Sequence, residues 1–236
     1  MSKNSKKDRK GQNTTNPVAL ITLIDQSSPV SEQYRTIRTN IKFASSADQE
    51  IKTIVVTSSG PGEGKSTTSA NLAVVFADSG QKVLLIDADL RKPTIHKTFN
   101  LVNNKGFSNL VSTQELIDEV VQKTIVPNLD VLTSGPKAPN PSELLGSVRM
   151  ENLLSELRNM YDLIIFDMPP VVAVTDAQIM SSKVDGTLLV VREEVSRKES
   201  LYKAKELLEL VNANVLGAIY HGAKNANDQG YYYYGS

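Results

Sequence analysis

The chain contains no cysteine and no tryptophan. The first absence excludes disulfides, thiolate metal sites and a catalytic thiol, and fits a reducing compartment. Aromatics are scarce at 6%, so with 40% apolar residues the core must be built from Val, Ile, Leu and Ala. An excess of one charge is missing too, because 26 Lys+Arg balance 26 Asp+Glu. That argues against a nucleic-acid binder that works through its overall field. Uninterrupted apolar runs reach only about five residues, far short of the ~20 that span a bilayer. No apolar segment follows the basic start, so it does not read as a secretory signal.

What is present is uneven. The 236 residues are enough for one ordinary domain with tails. Lys3, Lys6, Lys7, Arg9 and Lys10 face a single acid, Asp8, in the first ten residues, and the chain closes on Tyr231, Tyr232, Tyr233, Tyr234, Gly235 and Ser236. Residues 1–16 are polar and aperiodic and are expected to form a disordered basic arm. Pro17 to Ile24 reads as an extended apolar run. A domain is expected over 17–222, then a flexible tail over 223–236.

Between them lies a repeated grammar of short β-branched runs and helical patterns. The runs are Thr53–Thr57, Val83–Ile86, Leu129–Leu132, Leu163–Phe166, Thr187–Val191 and Val215–Tyr220. Most are continuously apolar, as strands buried on both faces of a parallel sheet are. Helices are expected near 66–79, 114–123, 149–159, 175–183 and 197–212. This alternation predicts a single α/β domain, doubly wound around a mainly parallel sheet.

The first strand and first long helix are joined by Ser59-Gly60-Pro61-Gly62-Glu63-Gly64-Lys65-Ser66-Thr67. Apart from Ser59 at the leading glycine, this matches the phosphate-loop pattern, in which curled backbone N–H groups converge on phosphate oxygens. The following helix adds its N-terminal dipole. Lys65 would reach the β- and γ-phosphates, and the Ser66 hydroxyl is placed to ligate Mg²⁺. Two strands then end in acids, at Asp87-Ala88-Asp89-Leu90-Arg91 and at Asp167-Met168-Pro169-Pro170. If strand geometry persists, Asp87 and Asp89 project to one side at the carboxyl edge of the sheet, where such sheets bind ligands.

A phosphate loop, an Asp-x-Asp-x-Arg strand end and an Asp-x-Pro-Pro strand end together resemble the bacterial tyrosine kinases, P-loop proteins linked to capsular and extracellular polysaccharide synthesis. Similarity extends to Pro139–Leu145 and Val174–Ala177, and so covers about residues 30–236. The resemblance implies an ATP- and Mg²⁺-dependent protein-tyrosine kinase. In it Asp87 looks like the base for the tyrosine proton, while Asp89 and Asp167 look like the Mg²⁺ shell; which of Asp87 and Asp89 lies nearer the metal stays open.

The tail tyrosines do not follow the period of a strand or a helix, and beside an ATP site Tyr231, Tyr232, Tyr233 and Tyr234 read as phosphoacceptors, as the family uses its cluster. From Tyr220 to Tyr234 the chain extends about 45–50 Å, enough to reach a neighbouring copy. Near the start, residues 30–43 read as a helix, with Tyr34, Ile37 and Ile41 on the packed face. Glu32, Arg35 and Arg38 fall on another face, either as an ordinary solvated set or, as the resemblance implies, as the element that joins subunits into a ring. Four phosphotyrosines would add roughly −6 to −8 charges, which is expected to expel the tail and loosen such a ring.

The resemblance further implies a separate transmembrane activator, an opposing protein-tyrosine phosphatase, and a cytoplasmic protein recruited to the inner face of the membrane, where the basic arm would meet anionic lipid. Two other functions share parts of this pattern: a partitioning or cell-division ATPase, and a nucleotide-dependent scaffold. His96 and His221 lack metal-ligand spacing and read as incidental.

Overall fold

All six apolar runs become strands, each within one residue of its expected ends. They are β1 (Thr53–Ser58), β2 (Val83–Asp87), β4 (Leu129–Leu132), β5 (Leu163–Asp167), β6 (Gly186–Arg192) and β7 (Val215–His221), joined by a short unexpected strand, β3 (Gln122–Lys123). The helices are α1 (Ile21–Ile24), α2 (Pro29–Ala44), α3 (Lys65–Asp78), α4 (Ile95–Thr98), α5 (Phe107–Ser112), α6 (Ile117–Val120), α7 (Pro141–Leu145), α8 (Val148–Met160), α9 (Asp176–Ser181) and α10 (Lys198–Leu210). This is a computed structural model, which describes residues 18–44, 50–113 and 115–222. The basic arm at 1–16 and the tyrosines at 231–234 lie outside the described residues.

The strands form one seven-stranded sheet in the order β3-β4-β2-β5-β1-β6-β7. Every pairing is parallel except β3 with β4. Every residue of β1, β2, β4 and β5 is buried, which is what a sheet covered on both faces requires. Alternate side chains feed two cores. Val55, Leu84, Ile86, Ile164 and Phe166 pack with α5, α8, α9 and α10, whereas Ile54, Val56, Leu85 and Ile165 pack with α3. Helix α3 is buried from Thr68 to Ala77, because α1 and α2 roof the side it turns away from the sheet. A helix apolar all round needs such a roof. Tyr34 and Ile41 of α2 are buried there, with Ile37 packed beside them, as their spacing predicts.

Two segments differ from expectation. Residues 17–24 read as extended, but Ile21–Ile24 form one helical turn. The cause is tertiary: the Thr22 N–H and hydroxyl both donate to Asn71 Oδ1, at 3.0 and 2.9 Å, and Asn71 Nδ2 donates to Ala19 O at 2.9 Å. The helix expected over 114–123 shrinks to Ile117–Val120. Beyond it Gln122 and Lys123 pair antiparallel with β4, where Lys123 meets the buried Asp130 at 2.8 Å and Gln122 Nε2 reaches Val102 O at 2.7 Å. Among the described residues no helix is long and apolar enough to cross a membrane.

Candidate active site

Strand β1 runs between β5 and β6, so the chain leaving Ser58 emerges at the middle of the carboxyl edge. The loop then turns into α3 through two left-handed glycines, Gly62 at φ 76° and Gly64 at φ 97°. Gly64 is required for a second reason. A Cβ there would lie 2.5 Å from Cδ2 of His221, whose ring rests on the loop. Ser59, where the phosphate-loop pattern is broken, has a use of its own. Its N–H and hydroxyl donate to the two oxygens of Glu63, at 2.9 and 2.7 Å, and Glu63 is only 2% exposed. The Glu63 side chain therefore braces the loop from inside. Gly60, Pro61, Gly62 and Gly64 shape the remaining curve, and Lys65, Ser66 and Thr67 open α3, where helix dipole and free N–H groups favour an anion.

The acids gather beside this loop. Asp87 and Asp167 end adjacent strands as direct register partners, and both are fully buried. Asp87 Oδ2 accepts from the N–H groups of Thr94 and Ile95, at 3.0 and 2.9 Å, while its Oδ1 has no partner. Asp167 Oδ1 accepts from the Ser69 hydroxyl at 3.2 Å, while its Oδ2 has none. Strand geometry stops at Asp87, so the side-by-side projection expected for Asp87 and Asp89 does not hold. Asp89 lies in the following loop, where its Oδ1 caps Arg91 N and Lys92 N and its Oδ2 accepts from Lys65 Nζ at 3.0 Å.

Burial, with the Asp167 charge adding to it, pushes Asp87 up to about 8. Burial also raises Asp167, against the pull of Lys65 and the Ser66 hydroxyl. For Lys65 burial acts downward, but the charges of Asp167 and Asp89 outweigh it and hold the ammonium above its usual value. Three carboxylates thus share one lysine in a dry setting, a cluster short of positive charge.

The unpartnered Asp167 Oδ2 and the Ser66 hydroxyl, with Asp89 Oδ2 once Lys65 leaves it, are hard-oxygen donors of the kind Mg²⁺ takes, and the residues fit that ion. Among the described residues no three His, Cys, Asp or Glu converge as a full cage. That suits an ion which completes its shell with water and substrate phosphates.

Several supporting contacts were not read from the sequence. Ser69 stands one helical turn after Lys65, a spacing that could have revealed it. Arg91, part of the Asp-x-Asp-x-Arg motif, grips the buried Asp176 with two 3.0 Å hydrogen bonds and pins the loop after β2 to α9. Arg192 and His221 come from the ends of β6 and β7, more than a hundred positions along the chain from the loop, with no local signal. Glu32, Arg35 and Arg38 are not brought to this edge. They lie on α2, where Arg35 bonds Glu32 and, at 2.7 Å, Gln26 O, while Arg38 donates to Val75 O of α3 at 3.0 Å.

A glycine-curled loop, a half-buried lysine and acid-tipped parallel strands define a P-loop NTPase-like α/β protein. The model of the AAA domain matches residues 51–214. The septum site-determining protein MinD of Pyrococcus horikoshii, solved with Mg-ADP, shares the fold at a TM-score of 0.61 and 22% identity, over 72% of this chain and 69% of that one. The particular family follows from nearer relatives. Tyrosine-protein kinase YwqD of Bacillus subtilis is 50% identical over 217 residues, covering 92% of this chain and 91% of that protein. The kinase domain of Escherichia coli tyrosine kinase ETK superposes at a TM-score of 0.84 with 34% identity, over 97% of this chain and 89% of that one. This chain belongs to the bacterial tyrosine-protein kinases.

Proposed function

We propose that the protein transfers the γ-phosphoryl group of ATP to tyrosines of its own tail, Tyr231 to Tyr234, in trans within a ring of copies. The observation that carries this reading is the charge cluster itself: Lys65, Asp87, Asp89 and Asp167 packed beside the phosphate loop, with two carboxylate oxygens left without donors. Phosphoryl transfer needs chiefly positioning and charge neutralisation, and these residues supply both. The loop from Gly60 to Thr67 holds the phosphates. Lys65, now on Asp89, turns to the phosphate oxygens when ATP arrives. Asp87, fixed by Thr94 and Ile95 through one oxygen, keeps the other free for the phenol proton. Ser66, Asp89 and Asp167 would hold Mg²⁺, which supplies neutralisation of the phosphate charge when bound.

Glu32, Arg35 and Arg38 are proposed to join subunits, by family relationship and because they lie together on one charged face of α2, away from the catalytic edge. The accumulated charge of about −6 to −8 on a fully modified tail opposes its return to an acidic site and loosens the ring. By family relationship the cycle would regulate capsule or exopolysaccharide synthesis. It would run at the inner face of the membrane, with a separate transmembrane activator and an opposing tyrosine phosphatase.

The test is incubation with Mg-ATP and the activator segment, followed by mass spectrometry of the C-terminal peptide. Phosphotyrosine in the wild type and its loss in Lys65→Met is the expected result. Phosphate release without phosphotyrosine identifies an ATPase instead, and neither product identifies a scaffold. A rate per molecule that is independent of protein concentration would contradict transfer in trans.

A further inference from the structure

The phosphate loop is held from outside as well as from within. Arg192, the last residue of β6, donates from Nη1 to the Gly62 carbonyl at 2.9 Å. Its own backbone is fixed by a tight turn, in which Arg192 N donates to Ser196 Oγ at 2.8 Å and Ser196 N returns to Arg192 O at 2.9 Å. Arg192 is also the register partner of His221, the residue whose ring covers Gly64. The ends of β6 and β7 thus meet the loop at two successive glycines, and the chain continues from Gly222 towards the tyrosine tail.

The contact has a chemical consequence. The peptide joining Gly62 to Glu63 is planar and trans, so its carbonyl and its N–H point in opposite directions. A guanidinium that holds the carbonyl outside the loop turns the Glu63 N–H inward, towards the phosphate cradle. Gly62, at φ 76°, has little intrinsic preference between the two orientations of this peptide plane. The loop therefore has one soft coordinate, and Arg192 sits on it. A cationic donor also polarises the peptide, which strengthens its N–H as a donor to an anion.

We propose that Arg192 is a positioning residue of the nucleotide site: it fixes the Gly62–Glu63 peptide so that the Glu63 N–H faces bound phosphate before nucleotide arrives. This rests on the reading of the loop as an ATP site. A cradle N–H serves phosphates common to ATP and ADP and acts in ground and transition states alike, so its loss weakens binding without slowing transfer.

The experiment compares Arg192→Met, which keeps an apolar stem without a donor, with Arg192→Lys, which keeps one donor. Mg-ATP and Mg-ADP binding to the full chain is measured by calorimetry, with tail phosphorylation kinetics alongside. Arg192→Met is expected to weaken both nucleotides about 3–10-fold and to raise the KM for ATP equally, with kcat within about twofold of wild type. Arg192→Lys should recover most of the loss, and all three proteins should melt together. Unchanged nucleotide affinity in Arg192→Met overturns the proposal. So does a loss confined to kcat, or a Lys variant as weak as the Met variant. If wild type binds Mg-ATP but leaves its tail unmodified, the kinase reading falls while calorimetry still judges Arg192. If wild type binds neither nucleotide, both fall.

Discussion

The two ends of one sheet treat the same side chain in opposite ways. At the amino edge, Asp185 accepts from Lys52 N, Thr53 N and the Thr53 hydroxyl at 2.9, 2.8 and 2.9 Å, and from Arg158 at 2.8 Å. Burial alone would raise it, but these bonds, led by Arg158, hold its carboxyl below the usual range. At the carboxyl edge, Asp87 and Asp167 are fully buried, adjacent, and each short of one hydrogen bond, and both are pushed upward. One edge is complete without a ligand. The other is built to be completed by one, so its cost in stability is the counterpart of its function.

The largest expected effect tests that division. Asp87→Asn should lower tail phosphorylation by about 10²–10⁴-fold, the range for removing a positioned general base, while leaving the fold intact. A loss under tenfold, measured by initial rates at saturating Mg-ATP, would remove Asp87 from the chemistry. Next comes Asp185→Asn, which strands Arg158 and weakens the bonds to Lys52 and Thr53. It is expected to cost about 2–3 kcal/mol and lower the melting temperature by roughly 4–12 °C, with nucleotide affinity unchanged.

The smallest effect concerns pH, and the two edges differ in sign. The folded value of Asp185 lies below the unfolded one. Its contribution is therefore present above the ordinary carboxylate range and is lost as pH falls through the folded value. Asp87 moves the other way, from 3.8 to about 8. Its burial is tolerated while it is protonated, and stability is lost as pH rises through that window. Without nucleotide, Asp87→Asn should melt above wild type at pH 8, and the gap should close towards pH 4. Equal melting at both pH values would show that Asp87 carries no such strain.

Much of this was legible in the sequence because it is local. The strands are runs of β-branched residues bounded by turn formers, and burial on both faces leaves them no competing period. The phosphate loop and the acids at 87, 89 and 167 follow directly from strand ends. Where reading failed, distant partners decided. Residues 21–24 became helical through Asn71, and residues 122–123 became a strand through β4. The pairing of Lys65 with Asp89 across 24 positions, the grip of Arg91 on Asp176, and the contacts of Arg192 and His221 with the loop leave no periodic trace.

By itself, then, the sequence determined the class of sheet, the phosphate loop and the family, because each depends on residue type at short spacing. Tertiary structure alone decided which carboxylates are satisfied and which are left waiting. Strand order is the physical reason. Placing β5 between β2 and β1 sets Asp167 beside Asp87, and placing β6 next to β1 brings Arg192 to Gly62. The zero net charge of the whole chain hides that separation.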